Sequence, residues 1–227
     1  MAFYRGPKLV TDGLILALDA GSPRSYSGSG STWYDISGNS NHFTIQGNVS
    51  WTAANGFGNF EGNSTGSGNK IYRASFPTNL KLSQGGQGYT ILMWARSTGG
   101  AGAWRKLIAN SDGDNYIDLY QQSSSPYGWH QDGSGESLYV DATSVSNDTY
   151  AMPNAGWHLY GAVNYNNGTT SNPGYALTIG NEPNSSPSGT NTYPWIGNVM
   201  TCLMYNRVLT SDEITKIYNN QKTRFGL

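Results

Sequence analysis

The chain has 227 residues, of which only 12% are charged and 13% aromatic, with 13 Lys+Arg against 14 Asp+Glu. Its basic residues are scattered from Arg5 to Arg224, so no positive field exists to neutralise phosphates, which excludes nucleic acid and an anionic membrane surface as partners. Few charges, many aromatics and 30 glycines exclude a disordered chain and suit short strands joined by tight turns.

The opening Met-Ala-Phe-Tyr-Arg-Gly-Pro-Lys lacks the apolar stretch of a signal peptide, and residues 1–10 read as an N-terminal arm or edge strand. The apolar run at 14–18 is far too short to cross a bilayer. Strand-like runs bounded by Gly, Asn, Ser or Pro follow at 14–19, 42–46, 58–60, 70–74, 89–96, 106–109, 116–120, 137–140, 157–165, 175–179 and 194–205. Within 116–120, Ile117 and Leu119 alternate with Asp118; within 157–165, Trp157, Leu159, Gly161 and Val163 share one face. The run 89–95 is nearly continuously apolar, which suits a central strand covered on both sides. Short strands in this number, without an internal repeat, predict two packed antiparallel sheets.

Near the end, Thr210-Ser211-Asp212-Glu213 has the form of a capping box and opens a helix over 210–222. Ile214, Ile217 and Tyr218 give that helix a narrow apolar stripe, by which it should lie on the sandwich as a lid on the core. The loops at 21–32, 62–69 and 181–193 are too short to be interdomain linkers, so residues 1–227 read as a single domain. Cys202 is the sole cysteine, so no internal disulfide can form, which suits assembly in a reducing cytoplasm.

Four segments carry a resemblance: 6–26 (Gly-Pro-Lys-Leu-Val-Thr-Asp-Gly-Leu-Ile-Leu-Ala-Leu-Asp-Ala-Gly-Ser-Pro-Arg-Ser-Tyr), Trp33-Tyr34-Asp35-Ile36-Ser37-Gly38-Asn39, 89–95, and 196–199 with 205–214. Together they resemble the laminin-G-like (concanavalin A-like lectin/glucanase) domains of structural proteins from tailed bacteriophages, notably marine and cyanobacterial ones. The resemblance spans residues 6 to about 224. It implies an all-β, two-sheet antiparallel jelly roll with one short C-terminal helix and with its first and last strands adjacent. It also implies a place on the virion, as capsid decoration or knob, neck appendage or tail-fibre component, assembled in the host cytoplasm.

Glucanases share this fold, so paired carboxylates were sought on alternate strand positions, as a retaining glycosidase requires. Of the four glutamates (Glu61, Glu136, Glu182, Glu213), only Glu136 has a close acid, Asp132, and Gly133-Ser134-Gly135 between them reads as a turn. Gly62-Asn63-Ser64-Thr65-Gly66 matches a nucleophile-elbow string but sits in a loop with no helix after it. His42, His130 and His158 lack metal-ligand spacing. No catalytic residue is assigned, and the chain is expected not to be an enzyme.

Two readings attach to the 35–41 loop. Asp35, Asn39 and Asn41 offer oxygens for calcium, as relatives of the fold sometimes do, although Met200 stands where an acidic ligand would complete the site. Equally, Asp35 can cap backbone amides in an Asx-turn before Gly38. The 110–115 stretch resembles part of a calcium loop but reads more simply as a hairpin turn at Asp112-Gly113.

Trp33, Trp51, Trp104, Tyr127 and Trp129 lie in or beside predicted loops, whereas Trp94 and Trp157 lie on strands as core. Trp104, Tyr127 and Trp129 are the candidates for stacking on a glycan or anchoring an interface, with 123–130 as an exposed aromatic tip; the alternative is that such rings close the ends of the sandwich. The expected function is that of a non-catalytic virion protein, present in many copies and attached to capsid or tail subunits. A lectin module recognising host-surface polysaccharide is the alternative. If both chain ends lie on one side, residues 3–10 and 223–227 would flank the docking edge.

Overall fold

The computed structural model describes residues 9–53, 58–62, 70–73, 88–98, 105–110, 117–121, 126–130, 136–146, 150, 151, 153, 156–165, 177–181 and 194–227. Its strands are, in chain order, β1 (Leu14–Asp19), β2 (Thr32–Trp33), β3 (Phe43–Gln46), β4 (Ser50–Thr52), β5 (Asn59–Gly62), β6 (Lys70–Arg73), β7 (Tyr89–Ser97) and β8 (Arg105–Asn110). There follow β9 (Ile117–Gln121), β10 (Pro126–His130), β11 (Glu136–Val140), β12 (Thr143–Val145), β13 (Tyr150–Ala151), β14 (His158–Asn164), β15 (Leu177–Ile179) and β16 (Gly197–Tyr205), then α1 (Ser211–Arg224).

The strands form two sheets, and every strand pairing is antiparallel. The first runs β12-β11-β14-β7-β16-β5-β4, with β1 also on β16; the second runs β13-β10-β9-β8-β15-β6-β3-β2. The molecule is an all-β antiparallel sandwich with one C-terminal helix. The opening and closing segments lie side by side, with Leu18 opposite Cys202 and Leu14 opposite Tyr205.

β16 organises the first sheet. One edge pairs along its length with β7; the other pairs with β5 and then, past a bulge between Val199 and Thr201, with β1. The extra residue at the bulge turns the Met200 carbonyl to accept the Ala20 N–H at 2.9 Å, so the changeover leaves no gap in the ladder.

Between the sheets, Leu16, Leu18, Ile91, Met93, Tyr160, Ala162, Cys202 and Met204 meet Phe43, Ile71, Ile108, Leu119, Leu177 and Ile179. The alternate residues of the first sheet, among them Leu92, Trp94, Leu159, Leu203 and Tyr205, form a second apolar layer with Leu209, Ile214, Ile217 and Phe225 of the helical segment. A strand buried on both faces needs no polar alternation, and this is why 89–95 reads as continuous apolar sequence.

The helix covers the outer face of the first sheet. Thr210 is its N-cap, with both arms of the capping box formed, and the helix runs two residues beyond the expected end. Trp94 is its seat: Tyr218 stacks on the indole at 5.7 Å and 11°, and Phe225 meets it edge-on at 5.7 Å. Val10 is fixed at one end of the helix through the Tyr205 hydroxyl, and Arg224 at the other through Asp19. Fourteen residues of helix, about 20 Å, therefore separate Val10 from Arg224. Residues 3–8 lie outside the described residues.

Several aromatics differ from expectation. Trp33 ends the two-residue β2, beside the 34–42 loop as expected, but is fully buried. Trp51 is in β4, half-buried, donating from Nε1 to the Ala20 carbonyl at 3.0 Å. The 126–130 part of the expected aromatic tip is strand β10, paired with β9 and β13. The strands flanking 111–116 pair directly, Asn110 opposite Ile117, as a hairpin connection there requires.

Candidate functional site

β1 pairs with β16 along one edge, and the 35–41 turn serves its other edge. Asp35 is buried; its Oδ1 accepts the N–H groups of Ala17 and Ser37, each at 2.9 Å. Its Oδ2 accepts the Asn41 N–H at 3.0 Å and the Ser37 hydroxyl at 2.8 Å. The Asn41 side-chain amide donates to the Ile15 carbonyl at 2.9 Å, the Asn39 amide to the Leu14 carbonyl at 3.2 Å, and the Ile36 N–H to the Ala17 carbonyl at 2.9 Å. An unpaired strand edge is thus closed by side chains.

The structure therefore brings Asp35, Asn39 and Asn41 together, but around the backbone of β1. A carboxylate offers about four lone-pair positions, and four donors occupy those of Asp35. The turn gives a calcium ion no free carboxylate oxygen, so its residues do not fit that cation in this arrangement. Behind it, burial, together with the Asp35 charge, pushes the Cys202 thiol far above its ordinary range and keeps it unreactive.

Four further carboxylates, those of Asp141, Glu213, Asp12 and Asp19, also act as braces. At the β11–β12 turn, Asp141 and Ala142 take the left-handed conformation, at φ 51° and 65°. Asp141 Oδ1 accepts the Leu159 N–H at 3.0 Å, and Oδ2 lies 2.6 Å from His158 Nδ1, tying the hairpin to β14. Arg207 binds Glu213 through two hydrogen bonds, 2.7 and 3.0 Å, and reaches the Asp12 carboxylate at 2.9 Å. The bond from Arg207 is the largest influence holding the Glu213 carboxyl down at about 2. Asp19 pairs with Arg224. Asp12 and Glu213 thus meet at the one guanidinium of Arg207.

Of the glycan candidates, Trp104 lies outside the described residues. Tyr127 and Trp129 are alternate positions of β10. Asp132, most of 62–66 and most of 110–115 likewise lie outside the described residues.

Sequence reasoning passed over a row across the outer face of the first sheet. Arg96, two residues beyond Trp94, stands opposite Asn198, and Asn198 stands opposite Glu61. On the other side, Trp157 directly precedes β14 and lies under the guanidinium, with Cζ 5.5 Å from the ring centre. Arg96 Nη2 and Nε donate to Asn198 Oδ1 at 2.8 and 3.2 Å. Arg96, Trp157 and Glu61 are half-buried, and Asn198 is buried. The visible signal was the abrupt end of an apolar run in arginine.

No protein-family model matches the chain, and no curated protein is similar to it in sequence. Among solved structures it is similar to Trypanosoma rangeli sialidase in complex with the inhibitor DANA, at 13% identity and TM-score 0.57, covering 96% of this chain and 34% of that one. It is similar to the binding domain of Paraclostridial Mosquitocidal Protein 1, at 11% identity and TM-score 0.65, covering 93% and 53% respectively. A third likeness is to the botulinum neurotoxin serotype G binding domain, at 12% identity and TM-score 0.60, covering 92% and 51%. The chain spans about a third of the sialidase and about half of each toxin binding domain. At such identities the likeness is one of fold: an antiparallel β-sandwich, which the neighbours carry as part of longer chains.

Proposed function

We propose that this chain is a binding module that works without bond chemistry, and that it serves as an attachment protein on the virion of a tailed phage. One observation supports the non-catalytic part: Asp12, Asp19, Asp35, Asp141 and Glu213 are each committed to an arginine, a histidine or backbone N–H groups, while of the other acids described Asp212 is exposed in the first turn of α1 and Glu61 lies in β5 of the first sheet. A glycosidase needs two carboxyls facing one substrate, one of them free to exchange a proton. Fold alone does not decide between catalysis and binding, since one scaffold hosts both.

The virion assignment rests on the resemblance of the opening and closing segments to phage structural domains. On this reading the chain stands in multiple copies against capsid or tail subunits. Quantitative mass spectrometry of gradient-purified particles tests it: a fixed copy number per virion is expected, and absence from particles overturns it. A second reading, recognition of a host-surface polysaccharide, draws support from neighbours titled as toxin binding domains and as a sialidase. Both readings hold together if the virion protein is itself the part that touches the host.

A further inference from the structure

We infer that Arg96 is the centre of a binding site for the carboxylate of an acidic polysaccharide, on the outer face of the first sheet beyond the end of α1. The inference rests on the binding-module reading and names a ligand class for it.

Arg207 and Arg224 both meet carboxylates, whereas among the described residues no carboxylate contacts Arg96. A neutral amide, Asn198, fixes its position instead. A guanidinium has five N–H donors, and those on Nη1 make no hydrogen bond among the described residues. The two bonds to Asn198 Oδ1 hold the group on its Nε–Nη2 side, with the Trp157 ring centre 5.5 Å from Cζ, and the Nη1–Nη2 end of a planar fork so held matches a carboxylate through two parallel hydrogen bonds.

The fixing is built into the sheet. Asn198 is 2% exposed and follows Gly197, where an added Cβ would come within 2.0 Å of the Arg96 carbonyl oxygen. The close approach of β16 to β7 that sets the Arg96–Asn198 contact therefore depends on a glycine. Holding a cation in place without a counter-charge is of no evident use to the fold, since a neutral partner returns little of what ordering the side chain costs.

The surroundings select the class of anion. A single guanidinium without a second described cation suits one planar monoanion better than a phosphate chain. Glu61, one strand beyond Asn198, can accept from the hydroxyls of a sugar, which a peptide of acidic residues does not offer. An acidic sugar residue brings one carboxylate flanked by hydroxyls, and fits this row.

The test is titration calorimetry of the whole chain against oligogalacturonate and sialyllactose, each beside its uncharged counterpart (carboxyl-reduced oligogalacturonate and lactose), with poly-glutamate as a peptide control. The wild type should prefer at least one carboxylated sugar over its neutral form. Arg96→Gln should weaken that binding about tenfold or more, and Arg96→Lys, which keeps charge but loses the fork, should recover only part of it. Melting temperatures of the variants, expected to match the wild type, show that the fold survives. Equal binding by wild type and Arg96→Gln, or a preference for poly-glutamate, overturns the inference. Sugar binding that Arg96→Gln leaves unchanged would overturn the site while sparing the binding-module reading; a folded wild type that binds none of these sugars overturns the site and removes the polysaccharide reading's support.

Discussion

The outer face of the first sheet differs between its two ends. Toward Thr90 it is closed: Trp94 seats the helix, Thr90 Oγ1 donates to the Arg207 carbonyl and accepts the Leu209 N–H, and Arg207 is shared between Glu213 and Asp12. Toward Arg96 the same strand carries a cation that an amide and an indole hold but no described acid neutralises. Two alternate residues of β7 thus mark the border between a face finished by packing and one that presents chemistry. The lesson is that the finished end supplies rigidity, and the other end spends it on orientation.

The comparison is broken most severely at Trp94. Trp94→Ala removes a buried indole and the seat of Tyr218 and Phe225, and should cost about 3–5 kcal/mol in denaturant unfolding. Asp35→Ala leaves the Ala17 and Asn41 N–H groups without their acceptor and should cost about 3 kcal/mol, with Asp35→Asn costing less because one oxygen remains. Both changes should also loosen the Arg96 row only through the fold, so binding and stability would fall together.

A smaller effect concerns acid. The Glu213 carboxyl sits at about 2 against an ordinary 4.5, so its contribution is full above 4.5 and is lost as pH falls from there toward 2. Thermal melts across that window should show a loss on the order of 1 kcal/mol, reduced by solvent screening, that Glu213→Gln abolishes. Smallest of all, Arg96→Gln should shift stability by less than about 0.5 kcal/mol while it removes carboxylate binding. A large loss of stability in that variant would show Arg96 to be one more brace.

What could be read from the chain was local. The residues of β1, the double-sided burial of β7 and the capping box at Thr210 each depend on neighbours in sequence, and each is found where expected. Strands β2, β4, β10, β12 and β13 were missed. Two of them are only two residues long, too short to show an alternation, and β10 contains Pro126 and Gly128, which erase the strand signal. The β11–β12 hairpin carries Asp141-Ala142 in left-handed geometry where Asn-Gly would have announced the turn. The 35–41 turn was legible as a hub of oxygens and amides, but its donor at Ala17 comes from 18 residues upstream. Arg96 was invisible for a different reason: its interest lies in which charges do not reach it, and that is a property of the folded surface.

The central claim is that the chain binds without breaking bonds. The direct measurement is size-exclusion chromatography with light scattering on an acidic polysaccharide incubated with the protein, read for complex formation and for chain length together. The account predicts a complex of greater mass with the polysaccharide length unchanged. Progressive shortening of the chains, with new reducing ends, would contradict it.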